Sequence, residues 1–177
     1  MNLKIREAAP KDLSGIVETA ESAFGLEYKK FTLSSNMDYF KGHRINPHNG
    51  LYVAHTESGV AGYSLFIPLM RTGTLELVQM GVRKEWQGQG IGSQLLPESI
   101  DQYVQKIKDL DGEPYAIYLT VSEDNPVAQK LYKKCGFEEV GRMRDMFVGK
   151  GNIEIIMGKI LQPSRIYPKN TLWVKEK

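Results

Sequence analysis

The chain has 177 residues, 41% apolar and 25% charged, the make-up of a soluble globular protein able to bury one core. Its 23 basic and 21 acidic side chains leave a net charge of +2, and no arm or helix gathers the positive charge, so no nucleic-acid partner is expected. MNLKIREAAPKDL has no apolar leader core, no apolar run is long enough for a bilayer, and Cys135 stands alone without a disulfide partner. The expectation is a cytoplasmic protein with no membrane association.

In chain order, LKIREA (3–8) alternates apolar and polar residues as a half-buried strand does. Pro10 sits at a helix start, and Leu13, Ile16, Val17, Ala20 and Phe24 follow at helical spacing. Residues 25–50 are weakly patterned, with a short helix expected around Met37 to Phe40 inside a long loop. LYVAHTE (51–57) and VAGYSLFIPLM (60–70) read as a hairpin about a Ser58-Gly59 turn. A turn at Thr72-Gly73 leads into the strand TLELVQMGV, and residues 91–107 carry Ile91, Leu95, Leu96, Ile100, Tyr103, Val104 and Ile107 on one helical face, with Pro97 a strain inside it. YAIYLTV (115–121) is nearly all apolar, which predicts a strand buried on both faces. Asn125 and Pro126 read as an N-cap and first-turn proline, and Gly136 as the residue that ends that helix. FEEVGRM and NIEIIMGKIL supply the last two strands. This order implies an α+β fold whose mixed sheet is mostly antiparallel, with a crossover through the 91–107 helix making one parallel pair.

The stretch VRKEWQGQGIGSQLL (82–96) places Gly88, Gly90 and Gly92 just before a helix. A helix N-terminus offers unpaired N–H groups and about half a positive charge, and glycines with positive φ let the backbone approach an anion closely. Phosphate or pyrophosphate is the ligand such a turn prefers. No lysine follows Gly90 or Gly92 as in a P-loop, and the GxGxG spacing is not the dinucleotide GxGxxG. The residues alone leave open a tight strand-to-helix connection that binds nothing.

Gln87-Gly88-Gln89-Gly90-Ile91-Gly92 resembles the Q/R-x-x-G-x-G/A signature with which GCN5-related N-acetyltransferases (GNAT) bind the pyrophosphate of coenzyme A. Asn125-Pro126-x-Ala128 and Leu131-Tyr132-x-x-x-Gly136-Phe137 match the later motif of that family at the expected distance, and the resemblance covers roughly residues 3–161. It implies a GNAT-type α+β fold and a transferase that uses acetyl-CoA as cosubstrate, without a metal. Domain 1–161 would carry the activity. The binding set for acetyl-CoA would be Met80, Gly81, Val82, Gln87, Gly88, Gln89, Gly90, Ile91, Gly92, Ser93 and Asn125. The strand ending Met80-Gly81-Val82 would splay from YAIYLTV, and its freed N–H groups would hold the acyl carbonyl and its oxyanion.

Glu76 interrupts an otherwise apolar strand, so it is either an edge residue facing water or an acid kept for chemistry, where partial burial would suit a general base. In histone-type members of the family the base is a glutamate six residues before the Val82 position, which is Glu76 here. Tyr132 reads from its spacing as a core tyrosine. By resemblance it is the acid that protonates the departing thiolate, and Asn125, a helix cap on its own terms, also touches the cosubstrate. Cys135 reads as a structural thiol, and His43, His48 and His55 lack metal-ligand spacing. Lys29, Lys30, Lys41, His43, Arg44 and His48 make 27–50 basic; by resemblance this is one lip of the acceptor site, extended by Arg142 and Arg144, and it disfavours a polycationic acceptor. The tail 162–177 holds Ile166, Tyr167, Leu172 and Trp173, too apolar for free disorder, and is expected to dock on its own domain or on a partner subunit, as in a homodimer. The reaction implied is transfer of acetyl to a primary amine acceptor by direct attack in a ternary complex. A protein N-terminal acetyltransferase and a non-catalytic acyl-CoA-binding regulatory module are the alternatives.

Overall fold

The computed structural model describes residues 2–25, 48–69, 73–146 and 151–162. The short helix expected near Met37 to Phe40, most of the basic 27–50 segment and nearly all of the 162–177 tail lie outside them. Seven strands form one mixed sheet in the order β1-β2-β3-β4-β5-β7-β6. They are β1 (Lys4–Glu7), β2 (Gly50–Thr56), β3 (Gly59–Leu69), β4 (Thr74–Val82), β5 (Ala116–Ser122), β6 (Glu138–Arg144) and β7 (Ile153–Ile160). Among the described residues the α-helices are α1 (Leu13–Phe24), α2 (Ile91–Asp109) and α3 (Pro126–Lys134). β4 and β5 are parallel, whereas β1–β2, β2–β3, β5–β7 and β6–β7 are antiparallel. The chain divides into two compact units, one of Met1–Pro68 with Leu77–Gly112 and the other of Leu69–Glu76 with Glu113–Lys177.

In the first unit both faces of β2 are covered, and the strand's two-residue period sorts its side chains between them. Leu51 and Val53 pack with Ile16 and Ala20 of α1 and with Val60 and Leu65 of β3. Ala54, on the opposite face, packs with Ala61 and with Ile91 and Leu95 of α2. On that second face Phe66 stacks on Tyr103 at 5.0 Å between ring centroids, and the Tyr103 hydroxyl donates to the His48 carbonyl at 2.8 Å. A β-carbon at Gly50 would lie 2.5 Å from the Tyr103 ring, so a glycine is required there. The hairpin turns one residue earlier than its sequence suggests. β2 stops at Thr56, Glu57-Ser58 forms the turn, and Gly59 takes φ +109° to pair with Thr56. The Thr56 hydroxyl sets that position by accepting from the Ser58 N–H and donating to the Gly59 carbonyl.

In the second unit Ile117, Leu119 and Val121 of β5 face Ile155 and Met157 of β7 in a buried layer that includes Phe137. β5 is not buried throughout, as its apolar run suggests: Tyr118, Thr120 and Ser122 alternate with the buried residues and are only half-buried. One face of this strand is thus more open than the other, as antiparallel sheets allow and composition does not encode.

Asp12 is a buried charge with full compensation. Arg6 grips it with both guanidinium nitrogens, at 2.7 and 2.9 Å, and the Ala9 N–H donates to it at 2.8 Å. The hydrogen bond from Arg6 holds its carboxyl below the ordinary range, against the opposing effect of burial. A carboxyl lowered in the folded state stabilises the fold above its unfolded pKa and loses that contribution as pH falls through the folded value. Asp12→Asn should therefore cost about 2 kcal/mol at neutral pH. In urea titrations the gap from wild type should close once pH drops below the normal aspartate range.

Candidate active site

Met80, Gly81, Val82 and the glycine turn all lie in the first unit, where hydrogen bonds fix the path between them. Gly81 is buried so tightly that a β-carbon would meet the rings of Phe24 and Tyr63 at 3.1 Å. Directly after Val82 the chain is clamped to α1: Arg83 pairs with Glu18 at 2.6 Å, and the Lys84 N–H donates to the Ser22 hydroxyl at 3.0 Å. A single 3₁₀ turn, Lys84–Trp86, then carries the chain outward, and Trp86 packs back against the cluster of Ala54, Ala61, Ile91 and Leu95. The Gln87 amide donates to the Val82 carbonyl at 2.9 Å and the Gln89 amide to the Glu85 carbonyl at 2.9 Å. Both glutamines thus brace the turn from behind, which the motif alone does not reveal.

Gly88 and Gly90 have φ of +75° and +82°, and Gly90 is the left-handed N-cap of α2. Gly92 does not share this: it lies in the first turn of the helix and has no positive φ, so the expectation of three left-handed glycines is corrected to two. No side chain caps α2. The first intrahelical bond runs from the Gln94 N–H to the Gly90 carbonyl, so the N–H groups ahead of it, those of Ile91, Gly92 and Ser93, are the ones a helix leaves unpaired. A β-carbon on Gly88 or Gly90 would meet nothing within 4 Å. Space, left-handed backbone and open donors coincide at the start of a 19-residue helix, and together they fit an anionic group such as pyrophosphate.

Glu76, Asn125 and Tyr132 belong to the second unit. Glu76 is half-buried and stands opposite Tyr118 in the parallel register, so the two side chains share a face. The Tyr118 hydroxyl donates to the Glu76 carboxylate, and burial, then that hydrogen bond, push the phenol well above its usual value. Tyr118 is the site residue that sequence reading missed, because in YAIYLTV it passes for one more buried aromatic. The pairing of β4 with β5 runs from Thr74↔Ala116 to Glu76↔Tyr118 and takes in no later residue of β4.

Tyr132 owes its position to the end of α3. Gly136 turns left-handed at φ +85°, the Gly136 N–H donates to the Lys133 carbonyl at 3.1 Å, and the Phe137 N–H donates to the Tyr132 carbonyl at 3.0 Å. This is the Schellman arrangement, and its usual apolar contact is made here by the Tyr132 and Phe137 rings, 6.0 Å apart. Burial pushes the Tyr132 hydroxyl up to about 12, and it has no hydrogen-bond partner among the described residues. Asn125 caps the other end of α3, its Oδ1 accepting from the Ala128 N–H at 3.1 Å. No hydrogen bond joins Glu76 to Tyr132 or to Asn125 among the described residues. Burial likewise raises the Cys135 thiol, so it sits protonated and suits a structural role. Arg142 is not a free cation at a lip, since Glu139 at 2.7 Å and Glu123 both pair with it. No cluster of metal-ligating side chains occurs among the described residues, and no helix among them is long and apolar enough to cross a membrane.

Comparison with known proteins bears on the family and the fold. N-alpha-acetyltransferase RimI of Mycobacterium tuberculosis is 33% identical over 107 residues, 59% of this chain and 62% of that protein. A probable spermine N(1)-acetyltransferase of Bacillus subtilis subsp. natto is 27% identical over 146 residues, 81% of this chain and 92% of that protein. The crystal structure of the ribosomal-protein-S18-alanine N-acetyltransferase from Escherichia coli superposes with a TM-score of 0.73 at 19% identity, covering 96% of this chain and 99% of that one, a likeness of fold. The model of the acetyltransferase (GNAT) family matches residues 17–137, and with the glycine turn opening an uncapped helix inside that span, the chain belongs to this family of acyltransferase enzymes.

Proposed function

We propose that the protein transfers an acetyl group from acetyl-CoA to a primary amine by direct attack, with residues 1–161 as the catalytic domain. The observation that carries this reading is the left-handed Gly90 N-cap, which leaves the α2 donors open beside empty space. Gln87 to Ser93 would hold the pyrophosphate, and Met80 to Val82 would offer backbone N–H groups to the acyl oxygen. Support for the latter is that β4 pairs with β5 only as far as Glu76. Asn125 would add a contact to the cosubstrate. Acetyl-CoA supplies the activated thioester; the side chains move the protons. A reducing cytoplasm suits the lone cysteine, and the tail 162–177 would dock on this domain or on a second copy in a homodimer.

Magnitudes set what the base must do. Deprotonating a lysine-like amine of pKa about 10.4 at neutral pH costs on the order of 4–5 kcal/mol, against about 1.4 kcal/mol for an α-amine near 8. Glu76 as base therefore matters most for a high-pKa acceptor, with Tyr118 holding its carboxylate in place. Relatives named as a probable spermine N(1)-acetyltransferase and as an N-alpha-acetyltransferase favour a small amine and an α-amine respectively. At about 12 the Tyr132 hydroxyl is a weaker acid than a thiol of about 8.5, so it would stabilise the departing sulfur by donating a hydrogen bond more than by complete proton transfer. Thiol release from acetyl-CoA across an amine panel tests the whole reading. Release that never depends on amine would leave only a binding module.

Three substitutions divide the roles. Gly90→Val places a β-branched side chain at φ +82° in open space, so the fold should survive with a loss of about 1–2 kcal/mol. Acetyl-CoA affinity should fall at least about tenfold in calorimetry, as the side chain occupies the anion's approach. Unchanged affinity would make the turn purely structural. In Glu76→Gln the amide oxygen still accepts from Tyr118, so the fold and acetyl-CoA affinity should hold. Its kcat with a lysine-like amine should fall by about 10²-fold or more and recover toward high pH, where the free amine supplies itself. A wild-type pH profile would move the base elsewhere. Tyr132→Phe keeps the ring on Phe137 and should lower kcat about 10- to 100-fold at unchanged melting temperature. Because the hydroxyl stays protonated until about 12, the wild-type rate should show no limb from it at ordinary alkaline pH.

A further inference from the structure

Glu154 of β7 is 7% exposed, and its carboxylate has no hydrogen-bond or ion-pair partner among the described residues. The residue is largely covered while its carboxylate oxygens still reach the surface, so a cation from outside can meet them there. Burial accordingly raises its pKa. Strand register shows what it shares a surface with. Glu154 stands opposite Ser122 and Met143, while Gly158, four residues on, stands opposite Tyr118, itself opposite Glu76. Register partners in a pleated sheet point to one face. One face of the second unit therefore runs from Glu76 and Tyr118, past Thr120 and Ile156, to Glu154. No lysine or arginine stands at the register positions of that face. Arg142, Arg144 and Lys159 stand opposite Ile155, Ile153 and Ile117 and belong to the other face. Four residues along a strand and two strand spacings across put the Cα atoms of Glu76 and Glu154 about 16 Å apart.

We propose that Glu154 is an ammonium-binding subsite, and that the acceptor is a linear dication whose second amine rests there while the first reacts at Glu76. This rests on the reading of Glu76 as the base. It also departs from the expectation drawn from the basic 27–50 segment, because the acids on this face favour a second positive charge. The floor between the two acids, Thr120 and Ile156, suits a methylene chain.

The test compares wild type with Glu154→Gln, using the linear eight-carbon diamine and octylamine. Wild type should prefer the diamine. Glu154→Gln should raise the KM for the diamine about 10- to 100-fold and leave octylamine, kcat and the acetyl-CoA KM unchanged. An equal effect on both amines, or none, overturns the subsite. Glu76→Gln should instead lower kcat for both amines. If it does not, the base reading fails while a diamine-selective effect at Glu154 still stands. Titration of the diamine into CoA-saturated protein reads the subsite without turnover, and equal affinity for wild type and Glu154→Gln would overturn it. With no partner to lose, Glu154→Gln should melt no earlier than wild type; earlier melting would make the carboxylate structural and also overturn the proposal.

Discussion

Helix α2 begins with donors that no side chain satisfies, and much of the first unit is arranged to keep them so. A serine or aspartate at position 90 would cap the helix, but neither tolerates φ +82° as glycine does, and either would place an oxygen where an anion would sit. The open end is tolerable because the rest of the helix is secured. Ile91, Leu95, Leu96, Ile100 and Tyr103 are buried along one face, and the strand before the turn is tied to α1 through Arg83 and Lys84. Stability is thus placed in the flanks and binding capacity at the junction. Even the two glutamines of the motif serve this division, since their amides bond to the carbonyls of Val82 and Glu85 and leave the first N–H groups of α2 uncapped.

The second unit solves a related problem at the other end of a helix. In the proposed reaction Tyr132 needs a fixed ring and an unengaged hydroxyl, and the Schellman turn at Gly136 supplies the first without touching the second. The carbonyl of Tyr132 is held by Phe137 N–H and its ring by the Phe137 ring, so backbone and side chain are located by one neighbour. Glu76 is held differently, by a hydroxyl donated from the adjacent strand. In the proposed reaction, proton donor and proton acceptor are positioned by independent local devices, so loss of either chemical group need not unfold the protein.

How much of this was legible depended on whether a signal is local. Helix starts and stops at Pro10, Gly90, Asn125 and Gly136 were readable because capping and left-handed turns are set by residues within one helical turn. The parallel β4–β5 pair was readable because a helix separates the two strands. What failed depended on neighbours distant in sequence. YAIYLTV looks buried on both faces, yet Tyr118, Thr120 and Ser122 lie on a more open side, since which face becomes covered depends on elements distant in sequence. Gly92 shared the look of the motif but not its conformation, because by then the helix has already begun.

Glu76 and Glu154 make the same point in sharper form. LEL at 75–77 and IEI at 153–155 are equivalent local patterns, a glutamate between two branched aliphatic residues in a strand. Glu76 stands out both as an acid interrupting an apolar strand and by its distance from the glycine turn, whereas Glu154 carries no such second marker. In the fold, alternation sends both side chains to one face while their aliphatic neighbours fill the other. Glu76 finds a hydroxyl donor there and Glu154 finds none. An acid in an apolar strand is thus a question that sequence can pose, but its answer lies in the partners that register brings alongside. A carboxylate that register leaves without one is where a cationic ligand gains most.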